Sequence, residues 1–389
     1  MKGWWKRFDW VSLAVTLALI GIGTVAIRSA GCARAEAVFH GMWINNLTTA
    51  VFGLVLYFVL AAIDYRRFFA LFSWPLYGLS LVMLVAVLCV GSEVLGGRRW
   101  LWFFQPSEIS KLFLLMLVAA FLGHDRFQNS SLRGSFKGFL LTGALVGVPC
   151  LLILAEPDLG TTLTLVPAIV AMMLIAGVWR KGLVPLLVVG AVGAMAVLGA
   201  VYEAEKPGVS SERREQILKY TPLKPHQVRR VKVFLFPECD PQGAGYNQRQ
   251  AKNAIGSGGY LGVGIGKGKT NRLKYLPPAV SMNDFIFCVY AEETGYRGSL
   301  ALLALYTLLL LPACWVAART RDLRGRLFTL GFALLIFAHV YINIGMSIGL
   351  LPITGLPLPF VSSGRTFLVT VLCGLGIVQS VSLHRDEEE

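Results

Sequence analysis

The chain has 389 residues, of which 55% are hydrophobic and only 15% charged, with a formal net charge of +14. That is too apolar for a soluble enzyme of this length, and apolar runs of about 20 residues, such as Val11–Ala30 and Gly182–Val201, match the length of a membrane-crossing helix. A soluble globular domain, a single-anchor protein and a nucleic-acid binder are excluded, and no cleavable leader is expected because no small-residue cleavage site follows the long first run.

Ten spans are predicted, over 11–30, 44–63, 70–91, 107–123, 138–155, 159–178, 182–201, 298–318, 327–349 and 366–383. The fold class is all-α and polytopic. Orientation follows from the basic residues of the short loops. One alternating set carries fifteen Lys or Arg, from Lys2 to Arg385; the other carries Arg34, Arg98, Arg99 and Arg365. Both termini are therefore expected in the cytoplasm. The domain organisation is 1–201 for spans one to seven, 202–284 for one large extracytoplasmic loop, and 285–389 for the last three spans and a short tail. The loop holds fourteen Lys or Arg and seven Asp or Glu, a net +7. Its charged part, 203–232, is read as an amphipathic helix on the lipid head groups. Its basic surface suits anionic lipid, a phosphorylated lipid substrate or solvent equally.

Polar motifs gather at the outer ends of the spans. In RRWLWFFQPSEISK (98–111), Pro106 and Ser107 suit a helix start, where the dipole favours Glu108; Lys111 lies three residues on, on the same face. A structural cap with a local ion pair explains this motif as well as a site does. AEPDLGTT (155–162) reads as a helix N-terminus with Glu156 and Asp158 in position to cap it, or to bind a cation or hydroxyl. GYLGVGIGKGKT (259–270) imitates a P-loop, but Val263 stands where that spacing needs glycine, so nucleotide binding is rejected. In SMNDFIFCVYAEETG (281–295), Asn283 or Asp284 suits an N-cap. The functional alternative is a base at the water–lipid boundary, where partial desolvation raises its pKa. Glu292 and Glu293 stay open between an ion pair and a cation ligand. The seven cysteines are read as small buried hydrophobes, with a Cys32–Cys239 disulfide as the alternative. The histidines show no metal-ligand spacing.

Together these motifs resemble the SEDS family of polytopic membrane proteins, which includes RodA and FtsW. The resemblance runs from about Trp10 to Val381. It is carried by RRW, QPSEISKL, EPDLGT, FPECDPQGAGYNQRQAKNAIGSGGYLGVGIGKG, LKYLPPAVSMNDFIFCVYAEETGYRG and NIGMSIGLLPITGLPLPFVSSG; the last favours the RodA branch. It implies ten spans and a peptidoglycan glycosyltransferase in the bacterial cytoplasmic (inner) membrane. Such an enzyme polymerises lipid II, a polyprenyl-pyrophosphate-linked disaccharide peptide, beside a class B penicillin-binding transpeptidase and membrane lipid. It implies Asp284 as the catalytic residue. Glu108 and Lys111 fall on the family's polar pair, Asp158 on its PDLGT acid and Arg99 on the arginine before tryptophan. Gln105, Lys274 and Arg365 complete the expected substrate-binding set. A divalent cation, Mg or Mn, is an optional cofactor, with Asp284, Glu108 and Asp158 as its candidate ligands. The sequence departs from the family at Met282–Asn283, usually His–Thr, and at Ser362–Thr366, usually SYGGSS. The spacing from Arg99–Trp100 to Gln105 also looks shortened. Two other functions remain open on the residues alone: a flippase for a lipid-linked precursor, and a non-catalytic scaffold for a transpeptidase.

Overall fold

A computed structural model describes residues 7–32, 39, 41–94, 97–102, 104–156, 158–206, 209–221, 225–240, 243–273 and 275–385. Lys274 lies outside them. The chain runs through α1 (Trp10–Cys32), α2 (Met42–Ala62), α3 (Tyr65–Val90), a hairpin of β1 (Ser92–Val94) and β2 (Gly97–Trp100), α4 (Pro106–Leu122), α5 (Phe136–Ala155), α6 (Leu159–Ile175) and α7 (Arg180–Ala204). The long connection follows, with α8 (Ser211–Lys219), α9 (Pro225–Leu235) and α10 (Ala244–Ser257). Then come α11 (Ile286–Arg319), α12 (Leu323–Ile348) and α13 (Arg365–His384). The protein is an all-α polytopic membrane protein in which each of the ten predicted spans falls on a helix.

Eight of those helices are long and apolar enough to cross a bilayer. The other two, α4 and α6, have 17 residues each, about 26 Å of helix and short of the hydrocarbon thickness. Both begin at residues of the candidate site. At the centre lie α12 and α13, with 72% and 83% of their apolar windows buried, whereas α7 buries 6% and shows its sides to lipid. Lipid supplies no hydrophobic drive between spans, so close contact needs small residues. At Gly376 of α13, a Cβ would stand 2.7 Å from the Tyr57 carbonyl of α2. At Gly23 of α1, one would collide with the backbone of Phe360.

Three features go beyond the expectations. The helix that carries the eighth span, 298–318, begins earlier, at Ile286, and is broken at Gly295 (φ 71°, ψ −164°). The glycine-rich loop docks in that break: Gly264 N–H donates to Glu293 O at 3.0 Å and Tyr296 N–H to Gly259 O at 2.9 Å. Polar residues at both ends of this short first segment hid it from a hydropathy reading. Second, segment 203–232 is not one amphipathic helix on the head groups. Pro225 starts a second helix, and α9 turns inward to bury Val233. Third, Cys32 and Cys239 are free thiols, and of the seven cysteines Cys288 alone is fully buried.

Between α12 and α13, residues 351–364 form an irregular strap. Unpaired backbone is costly inside a membrane, and side chains from α11, α12 and the strap itself hold this one. Asn343 Nδ2 donates to Leu356 O at 2.7 Å, Leu358 N–H donates to Ser362 Oγ at 2.8 Å, and the Tyr306 hydroxyl donates to Pro359 O. Phe360, fully buried, adopts φ 65°, a left-handed conformation that a non-glycine residue holds only when its surroundings impose it.

Candidate active site

A cavity of about 130 Å3 opens where the starts of α4 and α13, the strap and the segment before α11 meet. Its walls include Trp100, Gln105, Glu108, Asn283, Asp284, Gly355 and Arg365. It is smaller than the roughly 300–1,000 Å3 of pockets that enclose a whole ligand. It has room for a few atoms of a larger molecule, not for the whole of one.

Asp284 lies in one wall, half-buried. Its backbone is fixed, since Asn343 Nδ2 donates to Asp284 O at 2.9 Å as well as to the strap. Its carboxylate meets no hydrogen-bond donor among the described residues; what acts on it is burial and charge. Burial pushes the carboxyl up to about 6, Arg230 and Arg99 pull it back, and Asp158 adds to the push. A carboxylate poised near neutrality and free of donors is what a general base needs.

Arg230 comes from α9, where its guanidinium donates to Thr354 O of the strap at 3.0 Å. Burial and the nearby Arg99 lower it from the usual guanidinium range, with Asp284 and Asp158 opposing; it stays a cation. Its neighbour Arg229 points elsewhere, to Asp240 at 3.0 Å. Arg99, on β2, donates from Nε to Glu156 O at 3.2 Å. The Glu156 carboxyl is fully buried, with neither oxygen hydrogen-bonded among the described residues. Burial and then Asp158 raise it to about 8 against the pull of Arg99. A carboxyl so placed favours its protonated form near neutral pH.

Below the cavity, Lys111 is fully buried. Its ammonium lies 2.7 Å from Glu108, 2.9 Å from His339 Nε2 and 5.1 Å from the centre of the Phe367 ring. Donation to Nε2 makes the imidazole an Nδ1–H tautomer, directed at Pro357 O 3.4 Å away. Lys111 thus holds up the floor and does not line the cavity. Asp158 is buried too: it caps α6 through Thr161 N–H at 3.1 Å and accepts from Gln105 Nε2 at 3.3 Å. Arg365 stands exposed at the rim, on the first turn of α13 where the helix dipole disfavours a cation. Of the predicted residues, Asp284, Gln105, Glu108 and Arg365 share the cavity, Arg99 and Asp158 act on it electrostatically, and Lys111 supports it.

The two departures from the family pattern meet in space. The Ser363 hydroxyl donates to Asn283 Oδ1, Ser362 Oγ donates to Asn283 O at 2.6 Å, and Ser363 N–H donates to Met282 O at 3.1 Å. Met282 itself is fully buried, beside Gly31 of α1. Among the described residues no three His, Cys, Asp or Glu side chains converge as a metal site. Glu108 is committed to Lys111 and Asp158 to its own helix. Asp284 and Glu108 line the cavity together, and Asp158 does not line it. Sequence reasoning missed Arg230 and Asn343. An arginine pair inside a helix of mixed polarity was the visible trace of the first.

Fold and site together define a polytopic membrane protein with an acid–base cavity at one end of its helices. The sequence model of the FtsW/RodA/SpoVE family, described as cell cycle protein, matches residues 10–387. The chain belongs to that family. It is 35% identical to the peptidoglycan glycosyltransferase MrdB of Escherichia coli (strain K12), covering 99% of this chain and 96% of that one. It is 28% identical to the peptidoglycan glycosyltransferase RodA of Treponema pallidum, over 97% and 98%. Among solved structures it resembles a chain of a peptidoglycan synthase complex that coordinates polymerisation and crosslinking (TM-score 0.75, 30% identity, 98% and 99% covered). It also resembles the rod shape determining protein RodA of Thermus thermophilus (TM-score 0.67, 28% identity, 97% and 98% covered).

Proposed function

We propose that the protein is a peptidoglycan glycosyltransferase of the RodA type, polymerising lipid II for cell elongation at the outer face of the bacterial cytoplasmic membrane. Both termini then lie in the cytoplasm, and the cavity faces outward. The observation that carries the reading is the pairing of a donor-free carboxylate with guanidinium groups around one small cavity. In the reaction, the 4-hydroxyl oxygen of the acceptor sugar bonds to the anomeric carbon of the donor. The bond from that carbon to the lipid pyrophosphate breaks, and the pyrophosphate leaves with the electron pair. Asp284 takes the hydroxyl proton. Arg230 and Arg99 stabilise the negative charge that grows on the leaving group, and Arg365 meets substrate at the rim. A class B penicillin-binding transpeptidase is the expected partner, crosslinking the strands this protein makes.

The test is glycan synthesis from lipid II by purified protein, with and without the transpeptidase. Wild type should polymerise, and folded Asp284→Asn should not. Polymerisation by Asp284→Asn at the wild-type rate would remove the base assignment. Lipid II transfer across liposomes without any polymerisation would replace the enzyme with a transporter.

A further inference from the structure

Three walls of the Asp284 cavity come from segments far apart in sequence: Glu108 from α4, Pro357 from the strap and Phe367 from the first turn of α13. One side chain that does not line the cavity touches all three, directly or through one neighbour. His339, in α12, is fully buried. Its Nδ1 lies 3.4 Å from Pro357 O. Its ring stacks on that of Phe367, with centroids 4.4 Å apart. Its Nε2 takes the Lys111 ammonium at 2.9 Å, and that ammonium in turn holds Glu108 at 2.7 Å.

The bland reading is that His339 only packs. Packing explains its burial and the stack, but not its two nitrogens. A polar group inside a span is costly unless paired, and an apolar ring would fill the same volume without that cost. Each nitrogen has its own partner, and the partners lead to different walls. Lipid supplies no hydrophobic drive to press spans together, so walls carried by separate segments need a polar tie to keep one spacing. The cavity admits only a few atoms, and a misplacement of about 1 Å at a reacting centre can cost about 10²-fold in rate.

We propose that His339 is a positioning residue for the glycosyl transfer. As the Nδ1–H tautomer it ties the Lys111–Glu108 pair to the strap and to the start of α13, and so fixes the spacing at which the acceptor hydroxyl meets Asp284. This role rests on the polymerase reading above, and His339 itself touches no substrate.

The experiment is lipid II polymerisation by purified full-length variants, matched beforehand for thermal unfolding. His339→Phe keeps the ring and the stack and removes both nitrogens; kcat should fall on the order of tenfold, with KM within about twofold. His339→Gln, whose side-chain oxygen reaches Lys111, should recover part of that loss. In a Lys111→Met background, itself slow, His339→Phe should cost little more, because the two act as a unit. Packing alone predicts the reverse, with no recovery in His339→Gln and losses that add. If His339→Phe unfolds early, His339→Asn, whose shorter amide reaches Pro357 but not Lys111, takes its place with the same expected fall. The tie is also read without turnover. Amide exchange across 353–358 should quicken in His339→Phe and His339→Gln, which lose the Pro357 contact, and stay near wild type in His339→Asn. Wild-type exchange in His339→Gln, an unchanged kcat or additive losses would overturn the role. Wild type that makes no glycan would overturn the polymerase reading instead, and the exchange result would still decide the tie.

Discussion

Two sets of acids stand within ten residues of each other around the start of α11, and the structure treats them oppositely. Glu292 is almost fully buried and saturated with donors: Lys269 N–H at 2.7 Å and Thr270 N–H at 3.2 Å. Glu293 accepts from the Ser29 hydroxyl of α1, and its carbonyl takes the Gly264 amide. Gly262 lies so close to that carbonyl that a Cβ would collide with it, which is why the loop there is glycine. Asp284 has cations within reach of its field but no donor on its oxygens among the described residues. The pair near Gly295 closes the outer loop onto α11; the single acid is left able to accept a proton. What separates a structural acid from a reactive one is the inventory of donors around it, which position in the chain does not reveal.

The largest test of that contrast is to neutralise each acid in turn. Asp284→Asn should cut lipid II polymerisation by about 10²–10⁴-fold, the range lost with a general base, at unchanged thermal stability. If Glu292→Gln cost as much turnover per folded molecule, the contrast would collapse.

Next is Arg230→Gln, expected to lower kcat about 10²-fold, as when one group stabilising transition-state charge is removed. Arg229→Gln, whose partner is Asp240, should change little. The pair also carries a sign. Asp284 must be ionised to act, so activity should fall as pH drops through about 6. Arg230 pulls that value down, so its loss should move the acid limb to higher pH. Asp158 pushes it up, so folded Asp158→Asn should move the limb to lower pH. A limb that stays in place in both variants would detach Asp284 from the pH profile.

A smaller effect is expected at Asn343, which touches the backbone of Asp284 and not its carboxylate. Asn343→Ala should reduce kcat about tenfold through misplacement, with KM for lipid II little changed. A larger KM with intact kcat would assign it to substrate binding instead. Smallest in turnover, but visible in stability, is Glu292→Ala. It leaves the amides of Lys269 and Thr270 without their acceptor, at a cost of about 1–3 kcal/mol. Thermal unfolding should come earlier while the pH limb stays put.

Much of the fold was legible because lipid imposes a simple rule on sequence: a span must be long and apolar. Eight helices follow from it, and the polar motifs that gather at one end were visible as the stretches between the apolar runs. The segment of α11 before Gly295 was hidden because it is short and Glu292, Glu293 and Gly295 end its apolar pattern. Arg230 could not be told from Arg229, since only the docking of α9 onto the strap turns one inward. The link between Asn283 and Ser363 was equally invisible: both departures could be seen, but not that one accepts a hydrogen bond from the other. Asp284, Glu108 and Gln105 were found as motif residues. Capping by Asp158 was legible too; that Lys111 lies under the floor required the packing of α4 against α12.

The strap also fixes when the cavity can exist. Asp284 is synthesised well before Asn343, Ser362 and Ser363, the residues that hold its segment in place. A nascent chain that has inserted its helices through α11 has the acid and the Trp100–Glu108 wall but lacks the walls that the strap and α13 supply. The site is assembled only when the last two helices enter the membrane, so an interrupted or truncated chain displays Asp284 without the geometry to use it.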